Sequence, residues 1–241
     1  MIQVRNLYRK FNGFTALTDI TFHVEAGEVF AYLGPNGAGK TTTVNILATL
    51  LPPTSGKATV AGYDVINEGK MIRRLIGYVP DDFGLYPSLT IIENLDFCGC
   101  LYKMSKNERR NKIEDLLNFF DLLDKKRVPV STLSRGMKQK VSLAKAMIHN
   151  PEILFLDEPT SGLDPLMANE VINLIYRLKK EGKTILMTTH LLARAEKVCD
   201  SVALINKGKI LCTGKLTNIK TQLKTSKLED VYFKVIGDND G

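Results

Sequence analysis

The sequence predicts an α/β fold, with a parallel-sheet core, antiparallel strands ahead of it and a helical segment inserted into it. Three observations carry this. The stretch Gly34-Pro35-Asn36-Gly37-Ala38-Gly39-Lys40-Thr41 spells G-x-x-x-x-G-K-[ST], a phosphate-binding loop, between the apolar run Val29 to Leu33 and a helical pattern that stops at Pro52-Pro53. Ile153-Leu154-Phe155-Leu156 and Thr184-Ile185-Leu186-Met187 are short continuous apolar runs, the mark of strands covered on both faces. Residues 84–135 change to helical periodicity.

Residues 1–34 read as antiparallel strands with polar turns such as Glu25-Ala26-Gly27-Glu28, leading into the loop. Alternation in Lys57–Val60 marks another strand, and a shorter one ends at Ile76-Gly77-Tyr78-Val79-Pro80. Thr90-Ile91-Ile92-Glu93 and Ser105-Lys106-Asn107-Glu108 fit the capping-box pattern of a helix start. Ile91, Leu95, Cys98 and Tyr102 then share one face, as do Ile113, Leu116, Leu117 and Phe120; both rows read as core. Ser134 is placed to cap a helix whose face carries Met137, Val141, Ala144 and Ile148. A further helix opens at Asp164-Pro165, carries Met167, Val171, Leu174, Ile175 and Leu178 on one side and closes at Gly182. The expected division is a core of 1–83 and 136–215, a helical subdomain at about 84–135, and a C-terminal basic helix and tail at 216–241. The tail from Gly237 to Gly241 reads as frayed.

The loop has a compact physical logic. Glycines let backbone N–H groups curl around an anion, and the helix beginning near Lys40 points its positive end at the same place. Lys40 adds a point charge for the β- and γ-phosphates, and the Thr41 hydroxyl can ligate Mg²⁺. The ligand expected is therefore a nucleoside triphosphate with Mg²⁺. Asp157 ends an apolar strand beside that loop, where it can hold Mg²⁺ directly or through water. Glu158 follows it, positioned to polarise a water for in-line attack.

Composition excludes several classes. Apolar residues make up 44 % and charged ones 24 %, ordinary for a soluble globular protein. No apolar run approaches the ~20 residues of a membrane span, and the start reads as a strand, not a signal peptide. Four cysteines in 241 residues do not form a disulfide framework, and Cys98 and Cys100 are too close along a helix to share a metal well. They read as buried reduced thiols of a cytosolic protein. Much of the +7 charge lies late, at Lys207, Lys209, Lys215, Lys220, Lys224 and Lys227. A solvated face or attraction to an anionic membrane leaflet explains it better than nucleic acid.

Leu133-Ser134-Arg135-Gly136-Met137-Lys138-Gln139, continuing to Leu143-Ala144-Lys145-Ala146, resembles the signature motif of ABC (ATP-binding cassette) ATPases. The resemblance spans residues 1 to about 215. It implies the P-loop NTPase fold of that family, with an antiparallel β-subdomain, a RecA-like core and an inserted helical subdomain. It also implies that Ser134 and Gly136 meet the γ-phosphate of an ATP held by a second ABC subunit's loop, Gly34 to Thr41 with Thr42. Ser161-Gly162-Leu163-Asp164 resembles the family's D-loop, and His190 its switch histidine, which makes Glu158 and His190 the expected catalytic pair. Phe11 stands where the family's adenine-stacking aromatic is found, with a packed core Phe as the alternative. Gly84 to Thr90 with Glu93-Asn94-Leu95 looks most like the ABC-2-type exporter group.

The implied assembly is a homo- or heterodimer of cassettes on an integral membrane permease, peripheral on the cytoplasmic face of the cell membrane, with no nucleic acid. Two departures stand out. Asp81 replaces the family's usual Gln, which meets Mg²⁺ and the attacking water, and Asp81 can serve the metal or water with shorter reach. Arg135 and Met137 depart from the commonest signature, and Arg135 either faces solvent or adds charge near the ATP. Two rival readings are a soluble ABC ATPase acting on ribosomes or DNA, and an ATP-gated regulatory module without hydrolysis. The first usually brings paired cassettes or a long coiled coil, and intact Glu158 and His190 argue against the second.

Overall fold

A tight hairpin opens the chain: β1 (Ile2–Phe11) and β2 (Phe14–Val24) meet through Asn12-Gly13. Both turn residues have positive φ, 38° and 89°, as a two-residue turn between twisted strands requires. The computed structural model describes residues 1–237. After the hairpin come β3 (Val29–Leu33), α1 (Lys40–Leu47), β4 (Ser55–Val60), β5 (Tyr63–Asp64), α2 (Gly69–Leu75) and β6 (Ile76–Val79). Then follow α3 (Ile91–Leu101), α4 (Lys106–Phe119), short 3-10 turns at Leu123–Lys125 and Val130–Thr132, α5 (Arg135–Ala146) and β7 (Ile153–Asp157). The chain continues with α6 (Pro165–Lys180), β8 (Thr184–Thr189), α7 (Leu192–Ala195), β9 (Ser201–Asn206), β10 (Lys209–Lys215), α8 (Leu216–Gln222) and α9 (Leu228–Gly237).

Two sheets form. An antiparallel one runs β2-β1-β4-β5, and a six-stranded one runs β10-β9-β3-β8-β7-β6. In the larger sheet every pairing is parallel except β9 with β10. This corrects the reading of residues 1–34 as uniformly antiparallel. β3 is wholly buried and pairs in parallel with β8 and β9, because a continuous apolar strand is stable only where both faces are covered. Its alternate residues feed different cores: Val29, Ala31 and Leu33 face the helices α3 to α6, while Phe30 and Tyr32 pack with α1 and the antiparallel sheet.

Both expected capping boxes form. Thr90 Oγ1 accepts from the Glu93 backbone N–H while Glu93 accepts from that of Thr90, and Ser105 with Glu108 repeats the pattern. Asp164 caps α6, accepting from the N–H groups of Leu166 and Met167 at 3.0 Å each. The Phe120 row is buried as expected, but Tyr102 is 36 % exposed and stacks flat on His149, centroids 3.7 Å apart. It forms the wall of a surface cavity and is not core.

All four cysteines are free, and Cys100 is exposed, which corrects its assignment as a buried thiol. The C-terminal segment is two helices where one was expected: α8 stops near Lys224, whose φ is +51°, and α9 turns back onto α7 and β10. Leu228, Val231 and Val235 of α9 are buried, and Lys220 is ion-paired with Glu196. The segment is thus packed through its apolar side, while Lys207, Lys209, Lys215, Lys224 and Lys227 are exposed, as a solvated basic face expects. The expected fraying beyond Gly237 lies outside the described residues. Among the described residues no helix is long and apolar enough to cross a membrane.

Candidate nucleotide site

The phosphate loop leaves the carboxyl end of central β3 and enters α1, so it lies at the sheet edge where β7 and β8 also end. Backbone geometry explains its glycines. Gly39, at φ 106°, precedes α1 as its cap with no side-chain partner, so the first-turn N–H groups face outward. A Cβ at Gly39 would stand 2.6 Å from Leu17 Cδ2 and 2.9 Å from the Ala16 carbonyl. Gly34 has a different reason: a Cβ there would fall 2.2 Å from the Ile205 carbonyl of β9.

The loop borders a cleft of about 500 Å³ lined by Asn36, Gly37, Gly39, Lys40, Thr41 and Thr42, with Asp81, Glu158 and His190 opposite. Phe11 and Phe14 stand at its mouth on the hairpin tip. Phe11 is 38 % exposed with the Arg9 guanidinium 4.3 Å above its ring, which overturns the packed-core alternative. Phe14, 65 % exposed, was missed; its signal was the Asn-Gly turn that brings it opposite Phe11. Gly34 and Pro35 line an adjoining cavity that shares Asn36 and His190 with the cleft. Ala38 is turned inward, 3 % exposed.

Charge is tightly organised. Lys40 is buried, and its ammonium donates to the Gly34 carbonyl at 2.8 Å, to that of Pro35 at 3.1 Å and to Glu158 Oε1 at 3.1 Å. All three of its donors are thereby used. His190 Nδ1 lies 3.1 Å from both Glu158 carboxylate oxygens. Glu158 itself sits at φ +49°, a left-handed conformation that costs a non-glycine residue about 1 kcal/mol. Thr188 holds it there. The Glu158 backbone N–H donates to the Thr188 carbonyl at 3.1 Å and to Thr188 Oγ1 at 3.0 Å. The same hydroxyl donates to Asp157 Oδ1. Thr188 was also missed, since the link crosses between neighbouring strands and leaves no local pattern.

Asp157 is 2 % exposed. Burial raises its pKa, hydrogen bonds from Thr188 and Thr41 pull it back, and the nearby carboxylates of Glu158 and Asp81 raise it further. Such a carboxylate gains from a cation. Among the described residues no three His, Cys, Asp or Glu side chains gather to hold a metal. That donor set, a hydroxyl and one buried carboxylate beside a phosphate cradle, fits Mg²⁺, which takes few protein ligands and completes its shell with phosphate and water.

Ser134 and Gly136 are not among the residues lining the cleft. Ser134 caps α5 by accepting from the Met137 N–H at 3.3 Å. Arg135 is exposed, as the solvent-facing alternative expects, but it is not free. Its Nε donates to the Ser161 carbonyl at 3.0 Å and its guanidinium lies 5.2 Å from the Phe83 ring. It ties the start of α5 to the Ser161 loop, and Ser161 itself lines this chain's own cleft.

The ABC transporter family model matches residues 17–161. The chain belongs to the ABC transporter family. It is similar to the linearmycin resistance ATP-binding protein LnrL of Bacillus subtilis (strain 168), 34 % identical over 92 % of this chain and 72 % of that protein. The ABC transporter ATP-binding protein NatA of the same organism is 37 % identical over 90 % of this chain and 89 % of its own. The probable multidrug ABC transporter ATP-binding protein YbhF of Escherichia coli (strain K12) is 36 % identical over 100 % of this chain and 42 % of its own. A solved ATP-binding subunit of an ABC transporter superposes with TM-score 0.88 at 32 % identity, covering 98 % of this chain and 99 % of that one. The dimeric, post-hydrolysis cassette MJ0796 bound to ADP and Pi gives TM-score 0.81 at 28 % identity, over 90 % and 99 %. This ABC protein is an ATP-binding and ATP-hydrolysing transporter subunit with the cassette fold expected of it. The reading as a soluble ATPase of ribosomes or DNA is not favoured.

Proposed function

We propose that this ABC ATPase drives a membrane exporter by ATP-induced, head-to-tail dimerisation. The observation that carries it is a division of parts. Lys40, Thr41, Glu158 and His190 line one cleft, with Asp157 buried behind Thr41 and Glu158, whereas Ser134 and Gly136, the helix start suited to a γ-phosphate, lie outside its lining. One chain thus holds half a site, and a two-fold pair completes two. The export direction is supported by relatives named for linearmycin resistance, multidrug transport and Nod factor export.

In this reading the loop from Gly34 to Thr42 cradles the phosphates and Phe11 stacks on the adenine. Thr41 and Asp157, with Asp81 nearby, would hold Mg²⁺, which would supply positive charge to the phosphates. Lys40 gives its ammonium to the γ-phosphate and releases Glu158, which accepts a proton from the attacking water while His190 fixes its geometry. The free energy for transport is the pair's greater affinity for ATP than for ADP. Motion would leave through the loop at 81–87. That loop is fastened to α5, because Ser142 Oγ donates to the Phe83 carbonyl at 2.7 Å and Lys145 Nζ to that of Gly84.

The partner would be an integral membrane permease, with this subunit peripheral on the cytoplasmic face. The test is purification of tagged Glu158→Gln protein, with ATP and Mg²⁺, from mildly solubilised native cells. A polytopic membrane protein in stoichiometric amount is the expected companion. Ribosomes or DNA complexes without a membrane subunit would overturn the transporter reading.

A further inference from the structure

The cavity beside the nucleotide cleft, about 300 Å³, is lined by Gly34, Pro35, Asn36, His190, Leu192 and Tyr232. Five of these follow β3 or β8. The sixth comes from α9, more than forty residues beyond His190 in sequence. Three anchors fix α9 in place. Leu228 and Val231 are fully buried and Val235 nearly so. The Leu228 N–H donates to Glu196 Oε2 at 3.2 Å, and Lys234 Nζ to the Leu223 carbonyl at 2.8 Å. Tyr232 is partly buried against the same core and walls the cavity with the rest of its surface, while Phe233 beside it is 71 % exposed, ring centroids 6.0 Å apart.

We infer that α9 extends the ATP-dependent dimer face, with Tyr232 and Phe233 contacting a second copy of this chain. The inference rests on the dimer reading above. Asn36 and His190 belong to both the cleft and the cavity, so a copy that brings Ser134 over the cleft arrives on the surface that Tyr232 continues. Two-fold symmetry makes each such contact count twice. Tyrosine and phenylalanine are enriched at the buried centres of interfaces, and a side chain already held on a packed helix loses little freedom on docking. The last helix of the chain would therefore set how tightly the cassettes close.

Glu158→Gln protein, alone and with Tyr232→Ala/Phe233→Ala, tests this by analytical ultracentrifugation across a series of ATP concentrations with Mg²⁺. The double substitution is expected to weaken ATP-dependent dimerisation at least tenfold, while binding of a fluorescent ATP analogue to the monomer changes less than twofold. Phe233→Lys alone, at a position 71 % exposed, should weaken the dimer in the same direction. Equal dimer affinity in all three proteins overturns the role of α9 and leaves the dimer reading standing. A Glu158→Gln protein that stays monomeric with saturating ATP overturns both.

Discussion

Glu158 Oε1 stands 3.1 Å from the Lys40 ammonium, and both side chains are nearly enclosed. The same lysine that a γ-phosphate would claim is therefore held by the carboxylate that would activate water. In the proposed mechanism, entry of the triphosphate and release of the base would be one exchange of partners.

Glu158→Gln follows from that exchange. Its amide cannot accept a proton from water, so steady-state ATPase activity should fall by at least about 10²-fold, the low end of what a general base contributes. ATP affinity, measured by equilibrium dialysis, should equal or exceed that of the wild type, because Lys40 no longer leaves an ion pair to bind phosphate.

Lys40→Ala should abolish turnover and weaken binding as well. It removes a charge-assisted donor from the phosphates, worth about 2 kcal/mol, or roughly 30-fold in ATP affinity. It also leaves Glu158 without its cation. Titration calorimetry with ATP reads the loss directly.

Thr188→Val keeps the shape of β8 and removes the hydroxyl shared by Asp157 and the Glu158 backbone. The strained turn at Glu158 loses one of its two supports, and Asp157 loses a hydrogen bond that opposes the upward effect of burial on its pKa. The expected result is a drop in kcat of about tenfold with an increased Mg²⁺ requirement. Unchanged Mg²⁺ dependence would remove Thr188 from the site.

How much of this was legible follows the range of each interaction. The phosphate loop, both capping boxes and the Asp157-Glu158 pair are local in sequence, so spacing alone located them. β3 was read with its antiparallel neighbours because a five-residue apolar run does not state its partners. The Thr188 link, the Arg135 contact to Ser161, the Tyr102–His149 stack and Tyr232 beside Pro35 depend on distant segments meeting. Phe14 is an intermediate case, since the Asn12-Gly13 turn that places it is a local signal.

His149 gives a pH dependence to stability. Burial, with help from Lys183 and Lys112, lowers its pKa from 6.5 to about 4, against the hydrogen bond to the Ile76 carbonyl. Between those values the unfolded chain binds a proton that the folded one refuses, so stability rises with pH there. This contribution, of order 3 kcal/mol, is complete above about pH 6.5 and lost as pH falls towards 4. Urea denaturation across that window should show a shallower slope for His149→Phe than for the wild type.

The division of each ATP site between two chains is tested most directly by mixing two inactive variants, Lys40→Ala and Ser134→Arg. In a mixed pair, both defects fall on one site and the other is built entirely from intact parts. ATPase activity should therefore reappear on mixing, approaching a quarter of the wild-type rate at equal concentrations if mixed pairs form at random and one site suffices. Activity no greater than the sum of the two variants alone would contradict the shared site, and with it the account of how this ABC ATPase works.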